Sequence, residues 1–390
     1  MHALLYTKKQ QRMCPAHAYA KERFLWQTFF LLLGETLQMS TTRRSDIDIA
    51  KGFALFLVVL GHVVTMHHTI FRWIYAFHMP AFFFLSGMTF RPEKYKTCLD
   101  YIKKRGRTLI LPYFAVTLTA LAICTIRPYY HLAIDEYGWK HILTWIFYYG
   151  QPQQIYVGQL WFLPALFFAG LYALIWLKLF DKRSLSVRCY ALAALVLAGT
   201  YIRLADPLIP VMDRLPLKLD SALCAAVFLI AGYYANQEKL LEKMEPYTGF
   251  LIPFFAVLSF FFGPELSTYV NLCDCRYTAP PYYFGAAFSG IAALLLAARM
   301  AARPAFSGSV FSRFWQFCGR RSMLLFSIQS FALYFFVELI LHTTGVELKP
   351  MEWMPTRLST FALTAATFAL ICLIGWPWDC YQRKAHNKKR

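Results

Sequence analysis

Ten runs of about twenty apolar residues dominate this chain, at 49–68, 71–90, 108–126, 159–179, 187–204, 218–235, 247–263, 282–302, 321–341 and 357–376. The hydrocarbon core of a bilayer takes about 20 residues of helix. A helix satisfies its backbone polar groups within its own segment, as hydrocarbon demands, so continuous apolar runs of this length predict helices. The expected fold class is an all-α integral membrane protein with ten transmembrane helices. Hydrophobic residues make up 58% of the chain and charged residues only 16%, whereas a soluble domain carries near a quarter charged residues. That excludes a water-soluble, DNA-reading or disordered protein. The shorter run 141–150, HILTWIFYYG, is expected at the membrane interface, as its Trp and Tyr suit.

The formal net charge is +19, from 40 Lys and Arg against 21 Asp and Glu. Thirty of the forty fall in alternate connecting segments (1–48, 91–107, 178–188, 236–246, 299–321 and the C-terminus) and nine in the others. This bias predicts cytoplasmic termini and a multi-pass protein of the inner (plasma) membrane, and it explains the charge with no nucleic acid as partner. The ten cysteines are scattered, several inside apolar runs (Cys124, Cys189, Cys224, Cys372), where a thiol acts as a small hydrophobe. Cys273-Asp274-Cys275 is too short for a metal knuckle, and His67-His68 lack the i, i+4 spacing of helical ligands, so no metal is expected. Residues 1–38 read as an extension ahead of a translation start at Met39, 39–380 as one membrane domain, and 381–390 as a basic tail.

Ionisable side chains inside apolar spans are expensive and mark function. In IAKGFALFLVVLGH, Lys51 and His62 are eleven residues apart, about three turns, so they share a face. Lys51 falls near the cytoplasmic surface, where such a side chain also snorkels to the headgroups; His62 falls in the outer half. His67, His68 and His78 follow within sixteen residues. In FHMPAFFFLSGMTF, Pro80 frees a helical carbonyl, which predicts a polar cavity at the outer end of the first two spans. Ser86-Gly87 fit either that cavity or small-residue packing. The segment YIKKRGRTLILPY places Lys104, Arg105 and Arg107 at the membrane surface, a topology signal that can also grip phosphates. Gln329, Glu338, Asp220 and Trp161 are further polar groups in or beside spans.

RRSDIDIAKGFALFLVVLGH, FHMPAFFFLSG, KKRGRTLILPY, GQLWFLPALF at 158–167 and GRRSMLLFS at 319–327, in this order, resemble the membrane-bound acyltransferase-3 family over 43–376. That family includes O-acetyltransferases of surface glycans. The resemblance implies ten core helices with cytoplasmic termini. It also implies that the family's basic residue and histidine, eleven apart, fall on Lys51 and His62, and its basic pair on Arg105 and Arg107, with Lys104 as the alternative member. The strict Arg-x-x-Arg form is absent, and Gln329 stands where many relatives place a histidine.

What the resemblance implies is an O-acyltransferase using acetyl-CoA as donor, a lipid-linked or surface carbohydrate as acceptor, and membrane lipid as surroundings. Lys104, Arg105 and Arg107 would hold the CoA phosphates, with Lys51 deeper on the same route. His62 would act as general base or as a transient acyl carrier, with His78 orienting it or shaping the acceptor site. Sugar platforms could come from Tyr129, Tyr130, Tyr137, Trp139, Tyr148, Tyr149, Tyr156 and Trp161, though an interfacial belt explains such rings equally. The competing class is a transporter or flippase of a lipid-linked glycan or anion. Against it, the two halves show no repeat symmetry.

Overall fold

The computed structural model of the 390-residue chain describes residues 44–64, 69–126, 132–202, 215–263, 270–277, 280–344 and 357–387. The extension 1–38, Met39, His67, His68, Tyr129 and Tyr130 lie outside them, as does the side chain of Tyr137.

The described residues are helical apart from short connections and one isolated antiparallel bridge between Asn271 and Arg276. In chain order the helices are α1 Ser45–Val63, α2 Thr69–Met88, α3 Cys98–Arg105, α4 Leu111–Ile126, α5 Leu132–Phe147, α6 Phe162–Phe180, α7 Leu185–Tyr201 and α8 Leu219–Gln237. Then follow α9 Leu240–Met244, α10 Thr248–Phe262, α11 Pro280–Ala301, α12 Pro304–Ser307, α13 Val310–Arg320, α14 Ser322–Thr344 and α15 Arg357–Asn387.

Among the described residues, seven helical stretches are long and apolar enough to cross a membrane: Cys98–Thr125, Gly158–Phe180, Pro216–Gln237, Leu240–Phe262, Pro280–Ala301, Ser322–Thr344 and Ser359–Cys380. The other three expected spans coincide with helices that are more polar or shorter. The helix α1 carries Asp46, Asp48 and Lys51, α2 carries Arg72 and His78, and α7 has only 17 residues. The run at 141–150 belongs partly to α5, which buries Ile142 and Ile146 and leaves Trp139, Leu143 and Phe147 exposed.

Helices in lipid gain little from apolar burial against one another, so close backbone approach through small residues matters more. Between α2 and α8 the approach is reciprocal: a Cβ on Gly87 would strike the Leu229 carbonyl, and one on Gly232 would strike the Phe84 carbonyl. Gly87 is thus a packing residue, and Ser86 turns its hydroxyl back to the Phe82 carbonyl at 2.8 Å. The helices α1 and α13 meet in the same way, Gly319 against the backbone of Asp48 and Gly52 against the Trp315 carbonyl. Rings fill the rest of this seam. Phe53 meets Trp315 edge-on at 4.8 Å and Phe56 meets Phe368 of α15 at 5.3 Å, pairs worth about 0.5–1.5 kcal/mol each beyond their burial.

The helix ends with basic flanks gather at one end of the bundle. Arg44 donates to Asn236 at 2.6 Å and to Asp46, while Arg299 at the end of α11 reaches Asp46 and Glu245. Lys178 at the end of α6 donates to the Lys96 carbonyl. Arg321, 1% exposed, donates to Asp379 at 2.8 Å and ties the start of α14 to α15. The opposite end carries the segments 148–161, 215–221 and 270–277.

Candidate functional site

The helix α1 delivers His62 to that opposite end, one residue before the helix stops at Val63. The helix α2 returns from there and delivers His78 one turn after Ile74. Both imidazoles line one cavity of about 40 Å³, together with Val58, Tyr75, Met79, Gln159, Trp161, Asn271, Leu272 and Phe326. A single water needs roughly 10–15 Å³ of such space, so the cavity admits a few small groups and no more. His62 is the accessible member, whereas His78 is 4% exposed.

The orientation of His78 follows from its partner. Its Nδ1 lies 2.7 Å from the Ile74 carbonyl. A carbonyl only accepts, so Nδ1 carries the proton and Nε2 of the neutral ring is the acceptor. Tyr75 packs edge-on to the ring at 4.8 Å and itself stacks on Phe71 at 3.9 Å. Pro80 lies inside α2 two residues further on. A partly polar cavity thus lies where the end of α1 meets the start of α2, at the end of the bundle opposite the basic flanks.

The neutral amides around the histidines come from remote parts of the chain. Gln159 sits in a single 3-10 turn, Gly158–Trp161, that leads into α6. Its Oε1 accepts the Ser330 hydroxyl of α14 at 2.8 Å, and its Nε2 points at the Phe326 carbonyl at 3.4 Å. Asn271 caps a small stapled loop: its Oδ1 accepts from the Cys273 N–H at 3.0 Å and its Nδ2 donates to Asp274 at 2.7 Å. The Asn271 and Arg276 backbones exchange both hydrogen bonds.

A buried lysine holds this loop in place. Lys218, 1% exposed, donates to Gln151 Oε1 at 2.6 Å and to the Cys273 carbonyl at 3.0 Å. To aim inward, Leu217 and Lys218 adopt left-handed backbone, with φ of 50° and 65°. Burial and the neighbouring Asp220 push the Cys275 thiol in the same loop well above its usual range, so it stays an inert thiol.

Other expected site residues lie elsewhere. Lys104, Arg105 and Arg107 sit at the basic end, around a π-helical turn, Gly106–Ile110, in which the Leu111 N–H bonds to the Gly106 carbonyl. Lys104 donates to the Lys94 carbonyl and lies over the Tyr95 ring, and Arg107 is exposed. Lys51 is half-buried on α1, about 16 Å of helix from His62. The structure thus joins His62 to His78 and leaves the four cations outside their cavity. Gln329 is buried among the α14 contacts with no hydrogen bond to its amide, and it does not line the cavity. Of the aromatic candidates, Trp161 lines it, while Tyr156 packs on Tyr334. No cluster of three or more His, Cys, Asp or Glu fit to hold a metal occurs among the described residues.

Comparison with known proteins adds one match: a family model described as an acyltransferase domain fits residues 44–376. No curated protein and no solved structure matches the chain.

Proposed function

The chain belongs to the acyltransferase-3 family, and on that premise we propose that it moves an acetyl group from acetyl-CoA to a hydroxyl of a cell-surface or lipid-linked carbohydrate. The observation that carries this reading is the pairing of accessible His62 with oriented His78 in one small cavity. Its size suits a two-carbon acyl group better than a long chain. Trp161 and Tyr75 give it aromatic walls.

In this mechanism Arg105, Arg107 and Lys104 hold the phosphates of CoA at the basic end, and Lys51 lies further along the route of the pantetheine arm. His62 takes the proton from the acceptor hydroxyl as its oxygen attacks the thioester carbonyl. The carbon–sulfur bond then breaks, and His62 returns the proton to the departing CoA thiolate. His78 offers Nε2 toward the acceptor, and the Gln159 and Asn271 amides border the space in which the hydroxyl must sit. The protein works in the inner (plasma) membrane, with its basic end in the cytoplasm where the donor is made.

The test uses the purified full chain in lipid with radiolabelled acetyl-CoA and a lipid-linked glycan fraction, for wild type, His62→Ala and Lys51→Ala. Label reaching glycan with wild type alone supports the reading. Failure of wild type to bind or consume acetyl-CoA overturns it in favour of glycan or anion transport.

A further inference from the structure

At the basic end, on the side of α13 that faces away from α1, a groove of about 550 Å³ opens between α13 and α15. It is lined by Val310, Arg313, Phe314, Gln316, Arg320 and Trp376. The helix α13 is amphipathic: Ser312, Phe317, Cys318 and Gly319 are buried, while Val310 and Phe311 are 76% and 56% exposed. Its first turn is capped by Ser309, whose hydroxyl accepts the Ser312 N–H at 3.1 Å. Trp376 and Leu373 of α15 are also exposed, at 52% and 70%. An amphipathic helix with outward apolar side chains and arginines, beside an exposed Trp at a helix end, is built to lie at the headgroup level of a bilayer.

The charge around the groove is unbalanced. Arg320 and Arg321 share one carboxylate, Asp379, at 3.7 and 2.8 Å. Arg313 lies on the same groove, which no acidic residue lines among the described residues. Among the described residues the guanidinium groups here outnumber the carboxylates, and Arg320 is held in place by its ion pair. Two guanidinium forks above an apolar floor match a phosphate diester that carries hydrocarbon.

We propose that this groove binds an anionic phospholipid, its phosphate between Arg313 and Arg320 and its glycerol and first acyl carbons on Val310, Phe314 and Trp376. The site is separate from the histidine cavity and does not depend on what that cavity catalyses. A bound lipid there bridges α13 and α15, both of which pack on α1.

Native mass spectrometry of the full chain, with dioleoyl phosphatidylglycerol, dioleoyl phosphatidylcholine and inorganic phosphate as probes, tests it. Wild type should favour phosphatidylglycerol over phosphatidylcholine, and Arg313→Gln should lower that preference about fivefold, the effect expected of one basic side chain near anionic lipid. Arg313 is exposed, so this variant should fold normally, and Arg313→Lys should restore the preference. The control Arg183→Gln, at an exposed cation of the same end, should leave it unchanged. Equal lipid preference in wild type and Arg313→Gln overturns the proposal. So does displacement of phosphatidylglycerol by millimolar phosphate, which would make the ligand a free phosphate species.

Discussion

Ser330 of α14 donates its hydroxyl to Gln159 at 2.8 Å, a contact between residues 171 apart in the chain. It fixes which way the amide of Gln159 points and sets its nitrogen toward the Phe326 carbonyl at the cavity wall. Removing the hydroxyl leaves a buried acceptor unsatisfied, at about 1–3 kcal/mol. Ser330→Ala and Gln159→Ala should each reduce acyl transfer about tenfold, and the double variant should be no worse than the weaker single one. Steady-state rates for the four proteins of this cycle decide it. Fully additive losses would mean that the two side chains act separately.

His62→Ala and His62→Gln should both lower acyl transfer by about 10²–10⁴-fold, the usual contribution of a positioned base. Their melting temperatures should stay at the wild-type value, because His62 is accessible and lies at the last turn of α1. Retained turnover in His62→Gln would remove the base from the mechanism.

Lys218→Met should loosen the 270–277 loop, since the Gln151 oxygen and the Cys273 carbonyl lose their buried donor. The expected loss of stability is about 1–3 kcal/mol. Because Asn271 and Leu272 line the cavity, KM for the acceptor should rise while KM for the donor holds. Parallel rises in both constants would contradict a local role.

Asp46 stands in the first turn of α1, ahead of the apolar span that opens at 49. Burial opposes its charge, but Arg44 and Arg299 outweigh this and hold its carboxyl below the usual 3.8. A lowered folded value means that the stabilisation is complete above pH 3.8 and is lost as pH falls through the folded value. Melting temperature measured against pH should therefore drop below about pH 4 in wild type. Asp46→Asn should start lower at neutral pH and show a shallower acid limb. An unchanged limb in the variant would assign the acid sensitivity to other carboxylates.

Gly87→Leu should destabilise the bundle by about 1–3 kcal/mol or more, as overpacking does, because its side chain would meet the Leu229 backbone. Thermal melting in detergent measures this directly. Wild-type stability in that variant would show that α2 and α8 can separate without penalty.

The helices are legible because a continuous apolar run long enough for a membrane satisfies its own backbone in lipid as a helix. His62 and His78 stand out as candidates for a related reason: an ionisable group in such a run is costly to keep. Gln159 and Asn271 do not, since neutral amides in short connections carry no such penalty, and only the tertiary fold brings them to the histidines. Lys218 opens the expected span 218–235, and nothing in its neighbours announces that two left-handed residues turn it inward. The helix α13, at 11 residues, is too short to stand out as an apolar run of membrane length. Its periodic pattern, VFSRFWQFCGR, was the available signal.

The π-helical turn at Gly106–Ile110 bears on how the basic motif should be compared with its relatives. A hydrogen bond closing over five residues in place of four lodges one extra residue in the turn and shifts the angular phase of everything before it relative to everything after. Lys103 to Arg105 just before the turn and Arg107 inside it are therefore not set out at α-helical intervals. Cations three apart in the sequence need not be neighbours, and the pair that grips a ligand is chosen by the winding of the turn. Deleting Gly106 would keep every charge, and a turn relaxed to α-helical winding would set Lys103 to Arg105 and Arg107 back at α-helical intervals.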